Sequence, residues 1–281
     1  MLATRFAKNR STISASHGFL TEDQMRGIVP SIFAEEAHTS RSERYSYIPT
    51  IDIVRGLAKE GFMPTFACQA KPRDDDRRGF TKHMMRFRRE ADIAKSEAAE
   101  IIGINSHGGE TSFQLLGGVF RFVCANGMIV GDKFEEVRVR HSGKIVNEVI
   151  EGAYRVVSSF ERTMGAVDTM KQIAMRPQEQ EALAEAASIM RFDLEEGEDS
   201  PVSLNSFLRA RRSADTSNDL WSTFNRVQEN TIRGGLHGVA VNANNQRRRI
   251  TTREVNGIDQ NVKLNRALWT LAERMAEIKA A

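Results

Sequence analysis

From Thr111 to Asp132 polar and apolar positions alternate, and β-branched and aromatic residues dominate: TSFQLLGGVFRFVCANGMIVGD. Together with VRVRH at Val137–His141, this pattern predicts strands of a half-buried sheet. Asn126-Gly127 stands where a two-residue hairpin turn belongs, because both residues tolerate the positive φ such turns need. Period-2 spacing puts Arg138 and Arg140 on one strand face and Val137 and Val139 on the other. With Arg121 in the preceding strand, the expectation is a sheet with an apolar underside and an arginine-studded upper side.

Upstream, residues 1–44 mix Ser, Thr and charges and read as a loose arm. One short helix is expected near Thr21–Ile28, with Thr21 as its N-cap. Pro49 and Thr50 open a helix carrying Ile51, Val54, Leu57 and Ala58, and Gly61 suits its left-handed stop. Strands follow at Phe62–Lys71 and Phe80–Glu90, joined by the charged turn KPRDDDRRG, then EIIGINS at Glu100–Ser106 and a glycine turn at His107–Gly109. From Lys144 to Met175 the period changes. Val149, Ala153, Val156, Phe160, Thr163, Val167, Met170 and Ala174 recur at three- and four-residue spacings, predicting one long helix with a coiled-coil-like seam. A second helix runs over Gln178–Phe192 and gives way to the acidic segment DLEEGEDSP. Short helices through Trp221–Val227, a basic Gly/Asn-rich loop at Arg233–Arg253, and a last helix with Leu264, Leu268, Leu271, Met275 and Ile278 in register complete the chain.

The predicted class is α+β: an antiparallel sheet of about five strands backed by a long helix, with a helical C-terminal region. The implied organisation is an arm at 1–44, a core at 45–192, an acidic linker at 193–201 and a basic, mainly helical region at 202–281.

A chain of 281 residues with 40% hydrophobic and 27% charged residues is long enough to bury a substantial core. The net charge of +3 does not by itself argue for a polyanionic partner, but its distribution does. Arg41–Glu90 holds twelve Lys/Arg against seven Asp/Glu, Lys171–Ser200 three against eight, and Pro201 onward thirteen against seven, so two basic regions flank an acidic middle. The two cysteines, Cys68 and Cys124, stand far apart in apolar strand-like runs and read as reduced, buried thiols of a cytoplasmic protein. MLATRFAKNR has no apolar core of a signal peptide, and no apolar run is long enough to span a membrane.

Catalytic chemistry finds little footing. No two histidines lie three or four residues apart, so metal-ligand spacing is missing. His107 in NSHGG occupies a turn where a histidine can act as ligand or general base, although satisfying loop backbone is its commoner role. Gly108-Gly109, Gly117-Gly118 and Gly234-Gly235 match neither a phosphate loop nor a dinucleotide fingerprint. Within a strand, Gly117-Gly118 marks a bulge or a close backbone approach. Asp74-Asp75-Asp76 sits at a solvated turn where three consecutive side chains diverge. The reading is a protein that is not an enzyme and needs no cofactor.

The basic sets carry more. Lys82, Arg86 and Arg88 share one strand face, with Arg89 opposite, and Arg121, Arg138 and Arg140 extend the cationic surface. Arg247, Arg248, Arg249 and Arg253 form a second set. Arginine suits phosphate because its fork-shaped cation displaces condensed counterions. Phe87, Phe120 and Phe122 nearby are candidates for base stacking, although each taken singly is better read as core.

RFRR at Arg86–Arg89, INSHGG at Ile104–Gly109, GVFRFVCANGM at Gly118–Met128, VRVRHSG at Val137–Gly143, NRVQENTIRGGL at Asn225–Leu236 and TREVNGIDQNVKLNRALWTLAERM at Thr252–Met275 resemble a family of phage- and plasmid-borne proteins known mainly as a domain of unknown function. The resemblance implies a bacterial mobile-element protein and transfers no catalytic residue. In layout, Tyr45–Gln69 followed by basic antiparallel strands and a long helix is also similar to the single-strand annealing recombinases. Those assemble a β-β-β-α core into rings or filaments that hold single-stranded DNA in a basic groove.

The expected function is therefore ATP-independent binding and annealing of single-stranded DNA in recombination or replication of a phage or plasmid. Duplex DNA and RNA remain open as partners, as do host or phage replication and recombination proteins. A ring or filament of identical subunits is expected, without membrane contact. The competing expectation is a protein-interaction factor that inhibits a host restriction or defence system. A nuclease is disfavoured by the lack of a suitably spaced carboxylate cluster.

Overall fold

A computed structural model describes residues 10–15, 18–39, 47–72, 74–95, 97–109, 111–121, 126–129, 137–139, 145–241 and 246–280. Residues 10–15 and 18–39 of the segment expected as a loose arm are built into the fold. Strand β1 (Arg10–Ser14) pairs antiparallel with β2 (Phe62–Ala70). Helix α1 (Glu22–Ile28) follows, started by a capping box: Thr21 Oγ1 accepts from the Gln24 amide at 3.3 Å and Gln24 Oε1 accepts from the Thr21 amide at 2.9 Å. Helix α2 (Thr50–Lys59) begins after Pro49, and Gly61 at φ 81° turns the chain into β2.

β3 (His83–Arg89), β4 (Glu97–Asn105) and β5 (Phe113–Arg121) continue the sheet in antiparallel order. The far edge of β5 is shared by β6 (Asn126–Ile129), paired with Gly118–Arg121, and β7 (Val137–Val139), paired with Phe113–Leu115. Asn126 lies opposite Arg121 and Gly127 opposite Phe120, so Asn126-Gly127 belongs to a strand and is not the turn. The connection at 122–125 falls outside the described residues. The one register shift between β2 and β3 is at Pro64/Phe66, a bulge next to the proline that cannot donate to the ladder.

At β3 and β4 the sheet is covered on both faces. His83 to Arg88 are all buried in β3, as are Ala98 to Asn105 in β4. On one face Phe87, Ile101, Phe113 and Leu115 are buried in the core, and helix α3 (Ile145–Ser158) packs on β4 and β5. A Cβ on Gly117 would meet Val156 at 3.8 Å and Ser159 at 3.9 Å, so of the two expectations for Gly117-Gly118 the close backbone approach is the observed one. Gly56 likewise lets α2 approach Ile150 of α3.

The seam from Val149 to Met170 is buried as predicted, but the helix is not continuous. It breaks at Ser159, whose hydroxyl donates to the Val156 carbonyl at 2.6 Å, and resumes as α4 (Phe160–Gln172). Ala174, the last seam position, lies past the helix end and is exposed.

The chain divides into two compact units, the first holding residues 1–129 and 134–161, the second 130–133 and 162–281. In the second, α5 (Pro177–Phe192), α6 (Leu204–Leu208), α7 (Leu220–Arg233) and α8 (Ile258–Ala280) surround Trp221, Phe224 and Trp269, which pack with ring centroids 5.6–6.4 Å apart. The acidic segment 193–201 lies within this unit, where Ser188 Oγ and Ser200 Oγ hydrogen-bond at 2.6 Å. The expected basic loop after α7 is instead a two-stranded hairpin, β8 (His237–Val241) with β9 (Arg247–Thr251). Among the described residues no helix is long and apolar enough to cross a membrane.

Candidate nucleic-acid interface

Arg86 and Arg88 do not form the open cationic face that strand periodicity suggests. Arg86 and Arg88 are 6% and 5% exposed, and Arg86 makes an ion pair with Glu100, which is fully buried. Arg88 Nε lies 3.8 Å from the other Glu100 oxygen and donates to Thr65 Oγ1 at 3.4 Å. Burial holds the Arg88 pKa below its ordinary value. The reason for the discrepancy is two-sided burial: period 2 separates the faces correctly but does not say which is wet. Lys82 is half-buried, and Arg89 is exposed with its guanidinium 5.8 Å from the Phe62 and Phe160 rings. Phe87 is fully buried core. Arg121 and Arg138 have strand backbone opposite Asn126 and Gln114, with side chains outside the described residues. Arg140, Phe122 and His141 lie outside them altogether, as does the Phe120 side chain.

The second basic set is displayed. Arg247, Arg248 and Arg249 are consecutive and exposed on β9, and Arg253 is exposed just beyond it. β9 pairs only with β8 among the described residues. The hairpin is fixed at its base. Gly235 N–H donates to Thr252 O, Thr252 N–H to Leu236 O and Val255 N–H to Ile232 O, each at 2.8 Å, while Arg191 donates to the Arg253 carbonyl at 2.6 Å. Gly234, at φ 63°, lies so close to Arg253 that a Cβ would stand 2.5 Å from its carbonyl oxygen. Midway along β8, Val239 N–H donates to Pro201 O at 2.8 Å, and a Cβ on Gly238 would collide with the Pro201 carbonyl and Val202.

Around this base the structure adds arginines that periodicity did not single out. Glu229 on α7, 1% exposed, accepts from Arg212 Nη2 at 2.7 Å and Arg233 Nη1 at 2.6 Å. Burial pushes the Glu229 carboxyl up, but those hydrogen bonds outweigh it and hold its pKa below the usual value. Arg211 donates to Asn230 Oδ1 at 2.5 Å and to the Gly234 carbonyl. The available sequence signal was the flanking of buried NRVQEN by arginine pairs and arginine-glycine, a spacing no simple periodicity captures.

The first unit also gathers histidines distant in sequence. Thr50 Oγ1 lies 3.0 Å from His83 Nε2 and 3.2 Å from His107 Nε2, and accepts from Asn105 Nδ2 at 2.8 Å. His83 Nδ1 lies 3.1 Å from the Thr81 carbonyl, so it carries the proton and Nε2 accepts from the Thr50 hydroxyl. Thr50, His83 and His107 are all fully buried, and burial pulls His83 down to about 4 despite the Thr81 hydrogen bond. The arrangement knits the start of α2 to β3 and β4. Among the described residues no group of three or more His, Cys, Asp or Glu is placed to hold a metal ion.

Residues 37–269 match the family model described as Domain of unknown function (DUF932). The chain is 51% identical over 257 residues to UPF0380 protein YfjQ and 50% identical over 257 residues to UPF0380 protein YafZ, both of Escherichia coli strain K12, with 91% of each partner covered in both cases. No solved structure matches it.

Proposed function

The chain belongs to the family described as Domain of unknown function (DUF932), and we propose that within it this protein binds nucleic acid through the β8–β9 hairpin, annealing single-stranded DNA in recombination or replication of a phage or plasmid. The observation that carries the reading is the run Arg247-Arg248-Arg249, exposed on a strand whose base is locked by backbone hydrogen bonds. Arg247 and Arg249 share one face of the strand, where their like charges repel, and a phosphate backbone satisfies them together while releasing counterions. The work done is positional: charge is neutralised and bases are presented, with no covalent step and no ATP. Assembly into a ring or filament is part of the same proposal.

The test is an annealing assay. Complementary labelled oligonucleotides should pair faster with the protein than without it, without nucleotide cofactor, and light scattering should show a complex larger than one chain. Failure to bind either oligonucleotide at low salt overturns the reading.

A second reading, a protein-interaction factor acting on a host restriction or defence system, is favoured by the outer edge of β9, which an extended acidic segment of a partner can join by strand addition. Such binding requires one particular partner, whereas nucleic-acid binding extends over many sequences.

A further inference from the structure

We infer that the hairpin contacts bases as well as phosphates and therefore selects strands whose bases are unpaired, an inference that rests on the nucleic-acid reading above. Val239 stands directly across from Arg249, and Val241 across from Arg247. Cross-strand partners share a face, so that face carries a valine row on β8 beside an arginine row on β9. The Val239 N–H donates to Pro201 O and not to β9, which makes Val239–Arg249 and Val241–Arg247 the narrow pairs of the ladder, with side chains in contact range. The opposite face, with Gly238, is turned toward Pro201 and Val202. The valine–arginine face is accordingly the outward one, with Val239 46% and Val241 57% exposed.

Two valines held in water two residues apart make no core contribution, and their neighbours define what covers them. The occupant needs an anionic edge running parallel to apolar groups. A single strand has that form, phosphates along one side and base or sugar faces along the other. A duplex stacks its bases inside and offers mainly phosphate. A second copy joining through β9 would bring like arginine rows together, which is destabilising, so self-pairing is the poorer fit.

The experiment compares three probes, a thymidine oligonucleotide, an abasic strand of equal length and a duplex, by fluorescence anisotropy at one salt concentration. Three full-length proteins are used: wild type, Val239→Thr/Val241→Thr, and Arg247→Gln/Arg249→Gln. Threonine keeps β-propensity and charge while removing apolar surface. Wild type should prefer the thymidine strand over the other two by about tenfold, on the scale of covering the exposed apolar surface of two valines. The threonine variant should lose that preference and keep its affinity for abasic strand and duplex, whereas the glutamine variant should weaken on all three. Equal wild-type binding to thymidine and abasic strands, or an undiminished preference in the threonine variant, overturns base contact and leaves the nucleic-acid reading standing. If wild type binds none of the probes, that reading falls and the inference with it.

Discussion

The Thr50 hydroxyl donates to His83 Nε2 across 3.0 Å, joining the first turn of α2 to the first residue of β3 in an environment without solvent. This bond requires neutral His83. Its pKa of about 4 in the folded protein lies below the ordinary 6.5, so the unfolded chain takes up the proton first as pH falls. Stability is full above pH 6.5 and declines as pH drops toward 4, with a loss of about 3 kcal/mol assignable to this residue. Urea denaturation at several pH values should show that decline, and His83→Gln should flatten it while being less stable at neutral pH.

Glu100 holds Arg86 and approaches Arg88 where neither is exposed, so its removal strands buried positive charge. Glu100→Gln should cost about 3–5 kcal/mol. Arg86→Ala should likewise lower the denaturation midpoint but leave the salt dependence of oligonucleotide binding unchanged in protein that remains folded. A reduced salt slope in Arg86→Ala would return the sheet to the binding surface.

Much of the local structure was legible because short-range chemistry determines it. Thr21 announces the N-cap of α1, Pro49 and Gly61 bracket α2, and the buried seam from Val149 to Met170 follows its spacing. Long-range facts were not legible. Nothing near Arg86 in sequence reveals Glu100 on the neighbouring strand, two places from its ladder partner Ile102, although the adjacent apolar pairs Ile101-Ile102 and Leu115-Leu116 already signal strands buried on both faces. The hairpin was hidden by its arginines and asparagines, which resemble loop composition more than the alternation of Val239 and Val241 resembles a strand. His83 and His107 meet only because β3 and β4 pair.

Gly234 and Gly238 should respond differently to alanine. Gly234→Ala places a side chain at φ 63° and 2.5 Å from the Arg253 carbonyl oxygen, and should cost about 3 kcal/mol or more. Gly238→Ala collides with Pro201 and should lift the hairpin from Pro201–Val202. Hydrogen exchange in Gly238→Ala should accelerate at Val239 and leave the α7 amides protected. Equal acceleration in α7 would show that the hairpin and helix open as one.

The central claim is that Arg247 and Arg249, on one face of β9, take phosphates. The most direct measurement is anisotropy titration of a labelled single-stranded oligonucleotide across a range of salt concentrations, for wild type and for Arg247→Gln/Arg249→Gln. Each phosphate contact on a single strand contributes about 0.7 to the slope of log affinity against log salt, so two contacts make a difference of about 1.4 between the proteins. Wild type should show the steeper slope and the tighter binding at every concentration. Identical slopes, or no binding by wild type at low salt, would contradict the account.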